Sequence, residues 1–204
     1  MSVLDWYVDR MEPIKYENVS DHVLNEVQAL VQRRGKTITA STVNDAKLFM
    51  LPADTPLYNG ALITRLKDNK RYLVIARQYS PDMVHIQGRR VNGVITVSAV
   101  KDKYENHKKV GVEVTEVATG VPVYWRDVSA YMLQHDAGLL PSCRRKILIR
   151  KDVPIEMYQR VTFTSADSVY GETTDVRDVY TVEDIDGAQY EGLFSIQLGD
   201  DTRK

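Results

Sequence analysis

Along most of this chain hydrophobic and polar residues alternate with a period of two, and one stretch carries a helical period instead. From Ser20 to Arg34 the apolar residues Val23, Leu24, Val27, Leu30 and Val31 fall at the i, i+1, i+4, i+7, i+8 spacing of a single helix face. Ser20 or Asp21 can cap such a helix, Arg33 and Arg34 complement its C-terminal dipole, and Gly35 can take the left-handed end position. Its apolar face would either dock on a neighbouring molecule or cover the protein's own sheet. Before it, Met1–Val19 shows little periodicity, yet Trp6, Tyr7, Met11 and Ile14 would be wasted on a free tail. This stretch therefore reads as an arm that packs on something.

Strands follow. Lys36–Val43 is rich in β-branched residues, and Ala46–Leu51 is apolar up to Pro52. A turn region containing Pro52, Asp54, Pro56, Asn59 and Gly60 comes next. Ala61–Leu66 and Arg71–Arg77 flank the turn-formers Lys67-Asp68-Asn69-Lys70, which predicts a hairpin. Val84–Gln87 and Val94–Val100 flank a further turn region with Gly88, Asn92 and Gly93. Lys101–Lys109 is charged and reads as a link, the best candidate for a subdomain boundary. Val110–Val117 alternates as a half-buried strand, and Pro122–Trp125 can continue it at a sheet edge. Val128–Gln134 fits either a short strand or a helical turn. Arg144–Arg150, Val161–Thr164, Val179–Ile185 and Leu193–Leu198 complete the strands, the last two joined by an Asp186–Gly192 loop.

Many short strands with frequent turns indicate a mainly β protein with a small β-barrel or sandwich-like core. The expected organisation is an N-terminal arm and amphipathic helix over residues 1–36, then a β-rich domain over 37–204. No internal repeat stands out at this level.

Composition sharpens the picture in two places. Twelve tyrosines against three phenylalanines favour half-buried strands and wet interfaces, where an apolar ring with a polar tip is useful. The formal net charge of −1 hides a split. Residues 1–32 carry two basic and six acidic side chains, residues 33–151 carry 21 and 10, and residues 152–204 carry four and 12. Such a split points to an anionic partner, to copies meeting end to end, or to solvated faces that differ by chance.

The basic residues cluster as Arg33/Arg34, Lys67/Lys70/Arg71, Arg89/Arg90, Lys101/Lys103, Lys108/Lys109 and Arg144/Arg145/Lys146. No helix-turn-helix, zinc-finger or RRM signature accompanies them, so any nucleic-acid contact is expected to be non-specific.

Catalytic signatures are not found. His22, His85, His107 and His135 are far apart and lack metal-ligand spacing. There is no G-x-S-x-G elbow, phosphate-binding loop or dinucleotide fingerprint. Asp184, Asp186 and Gly187 match part of a calcium loop, but a turn between strands explains them better. Cys143, beside Arg144, Arg145 and Lys146, is the one candidate nucleophile, with His135 its nearest potential base. A single cysteine excludes a disulfide framework and fits a reducing compartment. Asp5 and Asp9 stand where a signal peptide needs apolar residues, and no run approaches the roughly 20 apolar residues of a membrane span. The expectation is a soluble protein made inside the cell, with no enzyme activity, no metal and no cofactor.

Several stretches resemble the neck proteins of tailed bacteriophages, in particular head-tail connectors of the stopper, or head-closure, type. They are Leu51-Pro52-Ala53-Asp54-Thr55-Pro56-Leu57-Tyr58-Asn59-Gly60 with Arg71-Tyr72-Leu73-Val74; Val91-Asn92-Gly93-Val94-Ile95-Thr96-Val97; Asp136-Ala137-Gly138-Leu139-Leu140; Asp178 to Asp186; and Tyr190 to Leu198. The resemblance spans residues 45 to 200 and does not include the N-terminal arm and helix.

It implies a virion protein, made in the host cytoplasm, that forms a homo-oligomeric ring of six or twelve copies. Its partners would be other copies of itself, a portal or adaptor above, a tail-completion or tail-tube protein below, and genomic DNA in the channel, with no membrane. A loop would close that channel in filled heads. Lys67, Lys70, Arg71, Lys101, Lys103, Lys108 and Lys109 are the candidate channel-facing residues. Trp6, Tyr7, Val23, Val27, Leu30 and Val31 are the candidates for docking on a neighbouring ring. The alternatives are a tail-terminator or tail-completion protein, a non-specific nucleic-acid-binding protein, and a small hydrolase using Cys143 and His135.

Overall fold

A computed structural model describes residues 9–33, 46–164 and 178–203. The strands are β1 (Glu12–Glu17), β2 (Leu24–Arg33), β3 (Ala46–Pro52), β4 (Leu62–Arg65), β5 (Lys70–Tyr79), β6 (Met83–Arg90), β7 (Gly93–Glu105), β8 (Lys108–Asp127), β9 (Arg145–Arg150), β10 (Arg160–Thr164), β11 (Val179–Tyr190) and β12 (Leu193–Asp200). Among the described residues one helix occurs, α1 (Ala130–His135). The chain is mainly β, as its alternating pattern predicts.

It divides into two compact units, 1–91 with 187–193, and 92–186 with 194–204. The division falls at Val91/Asn92, not at residue 36 or within 101–109. The first unit holds a closed six-stranded barrel in the order β1-β2-β3-β6-β5-β4, and the second a closed barrel in the order β10-β11-β12-β9-β8-β7. The closing ladders are β1 against β4, with Tyr16 opposite Ile63, and β7 against β10, with Val97 opposite Val161. Each barrel surrounds its own core. Ile14, Phe49, Leu51, Leu57, Ile63, Val74 and Ile86 fill the first; Ile95, Val123, Ile147, Ile149, Val161, Val182 and Ile196 fill the second.

The helix expected over Ser20–Arg34 is instead a turn followed by β2. Asn25, Val27, Ala29 and Val31 fall on one strand face, where Val27 and Val31 pack against the core and Ala29 is buried. Val27 stands opposite Ile14 and Val31 opposite Phe49. Of the apolar residues on the expected helix face, Val27 and Val31 also share the strand face, while Leu24 and Leu30 fall on the opposite one. β-Branched valines and two flanking strands, β1 along Leu24–Ala29 and β3 along Leu30–Arg33, decide for the strand. For the same reason residues 12–17, expected within the arm, form a barrel wall. The strand expected over Lys36–Val43 lies outside the described residues. The loop expected at Asp186–Gly192 shortens to a tight turn, because β11 runs on to Tyr190. Val128–Gln134 resolves towards helix, with the Ser129 hydroxyl accepting the Met132 N–H at the N-cap.

The two barrels are one design used twice. Numbered from its own first strand, each has the cyclic order first, second, third, sixth, fifth, fourth. Register then fixes which residues are equivalent. Arg65 faces Ile14, and Phe163 faces Ile95; Ile63 faces Tyr72, and Val161 faces Tyr180.

The loop from β3 to β4 and the loop from β9 to β10 share an Asp-x-Pro-aliphatic sequence, Asp54-Thr55-Pro56-Leu57 and Asp152-Val153-Pro154-Ile155. In both, the residue after Asp donates its N–H three residues back, Thr55 to Pro52 and Val153 to Arg150. In both, the aliphatic residue is buried in the barrel core. The loops end alike: Gly60 N–H donates to the Val74 carbonyl and Val74 N–H to the Ala61 carbonyl, while Tyr158 N–H donates to Val182 and Val182 N–H to Gln159.

Gly60 and Tyr158 therefore hold the same position, and both have positive φ, 83° and 65°. Glycine adopts that conformation without cost, whereas tyrosine is strained there. A Cβ on Gly60 would also collide with the Gly192 backbone. Replacing the exposed Tyr158 with Gly is expected to stabilise the protein by about 0.5–1 kcal/mol. Gly60→Ala should cost more than about 2 kcal/mol. Urea unfolding of both variants measures the contrast; equal effects would mean that the two positions are not equivalent.

Candidate functional site

One element departs from the duplicated plan. In the first barrel β1 and β2 stop near the barrel wall, whereas their counterparts β7 and β8 run on together as a two-stranded arm. β7 pairs with β10 only over Val94–Ser98, and β8 pairs with β9 only over Tyr124–Asp127. Beyond those stretches, Ala99–Glu105 and Lys108–Thr115 pair with each other. The connection is the two residues Asn106 and His107, both at positive φ (50° and 62°), the conformation that matches the twist of a tight hairpin.

The register sorts the arm's side chains. Val100 faces Val114, Asp102 faces Val112 and Tyr104 faces Lys109, with Val110 the extra residue at a shift in register. One face thus carries Val100, Asp102, Tyr104, Lys109, Val112, Val114 and Glu116. The other carries Lys101, Lys103, Glu105, Lys108 and Glu113. Residues 101–110 are all exposed, with Tyr104 at 62%, Val110 at 51% and Val114 at 45%. Strands with no core beneath them are held only by each other, and an isolated two-stranded ribbon is marginal in water.

Four of the seven candidate channel residues, Lys101, Lys103, Lys108 and Lys109, come together in this arm, in strands and not in a charged link. Lys109 pairs with Asp102 at 2.7 Å and Lys103 with Glu105 at 3.3 Å. The other three belong to the first unit. Lys67 is exposed in the β4–β5 turn, Lys70 opens β5 and pairs with Asp68 at 3.1 Å, and Arg71 follows it in the strand. Among the docking candidates, Leu30 is buried and Val27 and Val31 line the first barrel's core, so this set does not form a docking face. Val23 is exposed in the turn before β2, and Trp6 and Tyr7 lie outside the described residues.

Within the second unit an aromatic plug sits at the Gly93 end of β7, the end away from the arm. Trp125, Phe163 and Tyr180 pack on the barrel core, with Trp125 and Tyr180 each edge-on to Phe163. The buried Arg145 guanidinium lies over all three rings, 3.9, 4.7 and 4.9 Å from their centroids. It also donates to Asp127 at 2.8 Å and Asp178 at 3.2 Å. Stacking and ion pairing together satisfy a charge that burial alone would penalise. Asn92 fixes the indole: its amide donates to the Trp125 carbonyl, its side-chain oxygen accepts the Trp125 N–H, and its carbonyl accepts Nε1–H. Gly93 lies flat on the ring, where a Cβ would come within 2.7 Å. The Asn92-Gly93 pair, read from the sequence as a turn, thus also anchors Trp125.

The geometry does not assemble the candidate hydrolase pair. Cys143 is buried with its Sγ towards the Arg145 carbonyl, and burial pushes its thiol up, opposite to what a nucleophile requires. His135 lies in α1, stacked on Tyr131 and hydrogen-bonded to the Tyr131 carbonyl. Among the described residues no group of three or more His, Cys, Asp or Glu could hold a metal ion, and no helix is long and apolar enough to cross a membrane.

Sequence reading missed Asp201. Its side chain is fully buried between Arg160 and Arg203. Burial would raise its carboxyl, but hydrogen bonds from Arg203 and Arg160 outweigh this and hold it at about 2. Arg203 also donates to the Tyr158 carbonyl and to Thr181, tying the segment after β12 to the second barrel. A carboxyl depressed in the folded state stabilises above its unfolded pKa, and that contribution fades as pH falls through the folded value. Stability should therefore drop by about 2 kcal/mol as pH goes from 5 to below 2, and Asp201→Asn should remove this part of the pH dependence. Urea midpoints against pH for both proteins measure it; identical profiles would contradict the assignment.

No protein-family model, curated protein or solved structure matches this chain.

Proposed function

We propose that this chain is a structural component of a tailed-bacteriophage neck: a head-closure protein that forms a ring between portal or adaptor and tail, closes the DNA channel and offers the tail its attachment site. The observation that carries this reading is the β7–β8 arm. Two closed barrels spend their hydrophobic residues on their own cores. The arm instead exposes valines and a tyrosine beside lysines. A surface of that kind serves contact with another molecule. The stretches that resemble the stopper family support the reading from the sequence side. They include the Asp54–Leu57 loop and the Val91–Val97 segment that leads into the arm.

In this role the arm is the element that meets a neighbour or the channel. Lys101, Lys103, Lys108 and Lys109 supply positive charge without base-reading geometry, suited to phosphates of DNA that must pass and not stay. Two of the four are already paired with Asp102 and Glu105. Contact with DNA would then be weak, salt-sensitive and indifferent to sequence. The protein would be made in the host cytoplasm and end in the virion.

Electron microscopy of particles from a producing cell, with this gene intact and with it disrupted, tests the proposal. DNA-filled heads that leak or fail to join finished tails are the expected result of disruption. Intact filled heads beside tails of abnormal length would assign the chain to the tail end. Normal virions from the disrupted gene would overturn both roles.

A further inference from the structure

The arm leaves a strand edge open. Between Lys108 and Thr115, β8 pairs with β7 on one side, while β9 joins its other side only from Tyr124 onward. Such an edge is a template for another strand, and proteins usually charge it, cover it or pair it. This edge carries no proline, and its charges, Lys108, Lys109 and Glu113, each lie across the arm from an opposite charge on β7, Glu105, Asp102 and Lys101. Along the face shared with Val100 and Tyr104, β8 reads Lys109, Val112, Val114, Glu116: basic towards the tip, apolar in the middle, acidic towards the barrel. Turned end for end, that order is its own complement.

We infer that the arms of two copies of this chain pair with each other, β8 against β8 in antiparallel register, forming a four-stranded sheet. Around a two-fold axis near Glu113, and with Val110 again the extra residue, Lys109 of each copy comes opposite Glu116 of the other, with Val112 and Val114 between them opposite each other. This charge pair forms twice, as an isologous contact requires. Glu113 approaches its own copy at the axis, and Lys101, directly across the strand on each arm, compensates it. The surface is self-complementary in charge and in hydropathy, which favours a second copy over an unrelated partner. A nucleic acid would gain from the lysines but would meet Glu113 and Glu116 along the same edge. The contact sets the valines of the two copies side by side and completes the backbone ladder that β8 lacks.

This pairing is a property of the free protein and does not depend on the neck role. Sedimentation equilibrium of the full chain over a concentration series at low salt measures it. A monomer–dimer equilibrium that weakens with salt is expected. Lys109→Glu alone and Glu116→Lys alone should each raise the dimer dissociation constant by about tenfold or more, since each reversal turns two exposed attractions into repulsions. The double variant Lys109→Glu/Glu116→Lys should restore dimerisation, although it does not restore the pair between Lys109 and Asp102 within one chain. Both positions are exposed, so circular dichroism should show the fold unchanged in all three. A monomer at every concentration would overturn the inference. So would association, as a dimer or as a larger ring, that ignores the single reversals or is not rescued by the double change.

Discussion

Every strand offers two rows of backbone donors and acceptors, and an antiparallel sheet is stable only when those rows are paired or hydrated. Closure of the sheet meets this constraint twice. The ladders between β1 and β4 and between β7 and β10 close two six-stranded sheets into barrels. Closure also sets the side-chain alternation, so that one residue in two points into a core that is full and separate in each unit. In the arm the constraint is left unmet. Its inner rows pair, while its outer rows extend past the last partner strands.

Duplication explains why the arm stands out. Two barrels with one strand order, one loop sequence and one pattern of loop hydrogen bonds share everything that the fold requires. What one has and the other lacks is not needed for folding. The extension of β7 and β8 is such a difference, and so is the arginine under three aromatic rings at the opposite end of those strands. In the first barrel the position of Phe163 is held by Arg65, which pairs with Glu12 in place of ring stacking.

Much of the β architecture was legible in the alternation of Val, Ile and Tyr, and the Lys67–Lys70 hairpin was legible from its turn residues. The N-terminal strands were not. Val23, Leu24, Val27, Leu30 and Val31 fit a helix period, and only pairing with β1 and β3, which periodicity cannot represent, selects the strand. The repeat was present but faint: Asp54-Thr55-Pro56-Leu57 recurs as Asp152-Val153-Pro154-Ile155, and Tyr72-Leu73-Val74 as Tyr180-Thr181-Val182. Core positions otherwise exchange freely among apolar residues, so sequence identity fades while volume and pattern persist. The arm's lysines were read as a link because charge on both faces hides a strand. Asn106 between two alternating stretches was the signal that a turn stood there. Asp201 and its two arginines could not be foreseen, since 41 residues separate Arg160 from Asp201.

The central claim is that the barrels carry the fold and the arm carries the assembly. Replacing Val100–Val114 with Asn-Gly tests it most directly. Ala99 and Thr115 are already paired across the arm, so a two-residue turn can close the shortened hairpin. The account predicts that the trimmed protein keeps its urea unfolding free energy within about 1 kcal/mol, yet is no longer incorporated into particles from cells that depend on it. Incorporation at the level of the intact chain would contradict the account, and so would collapse of the second barrel.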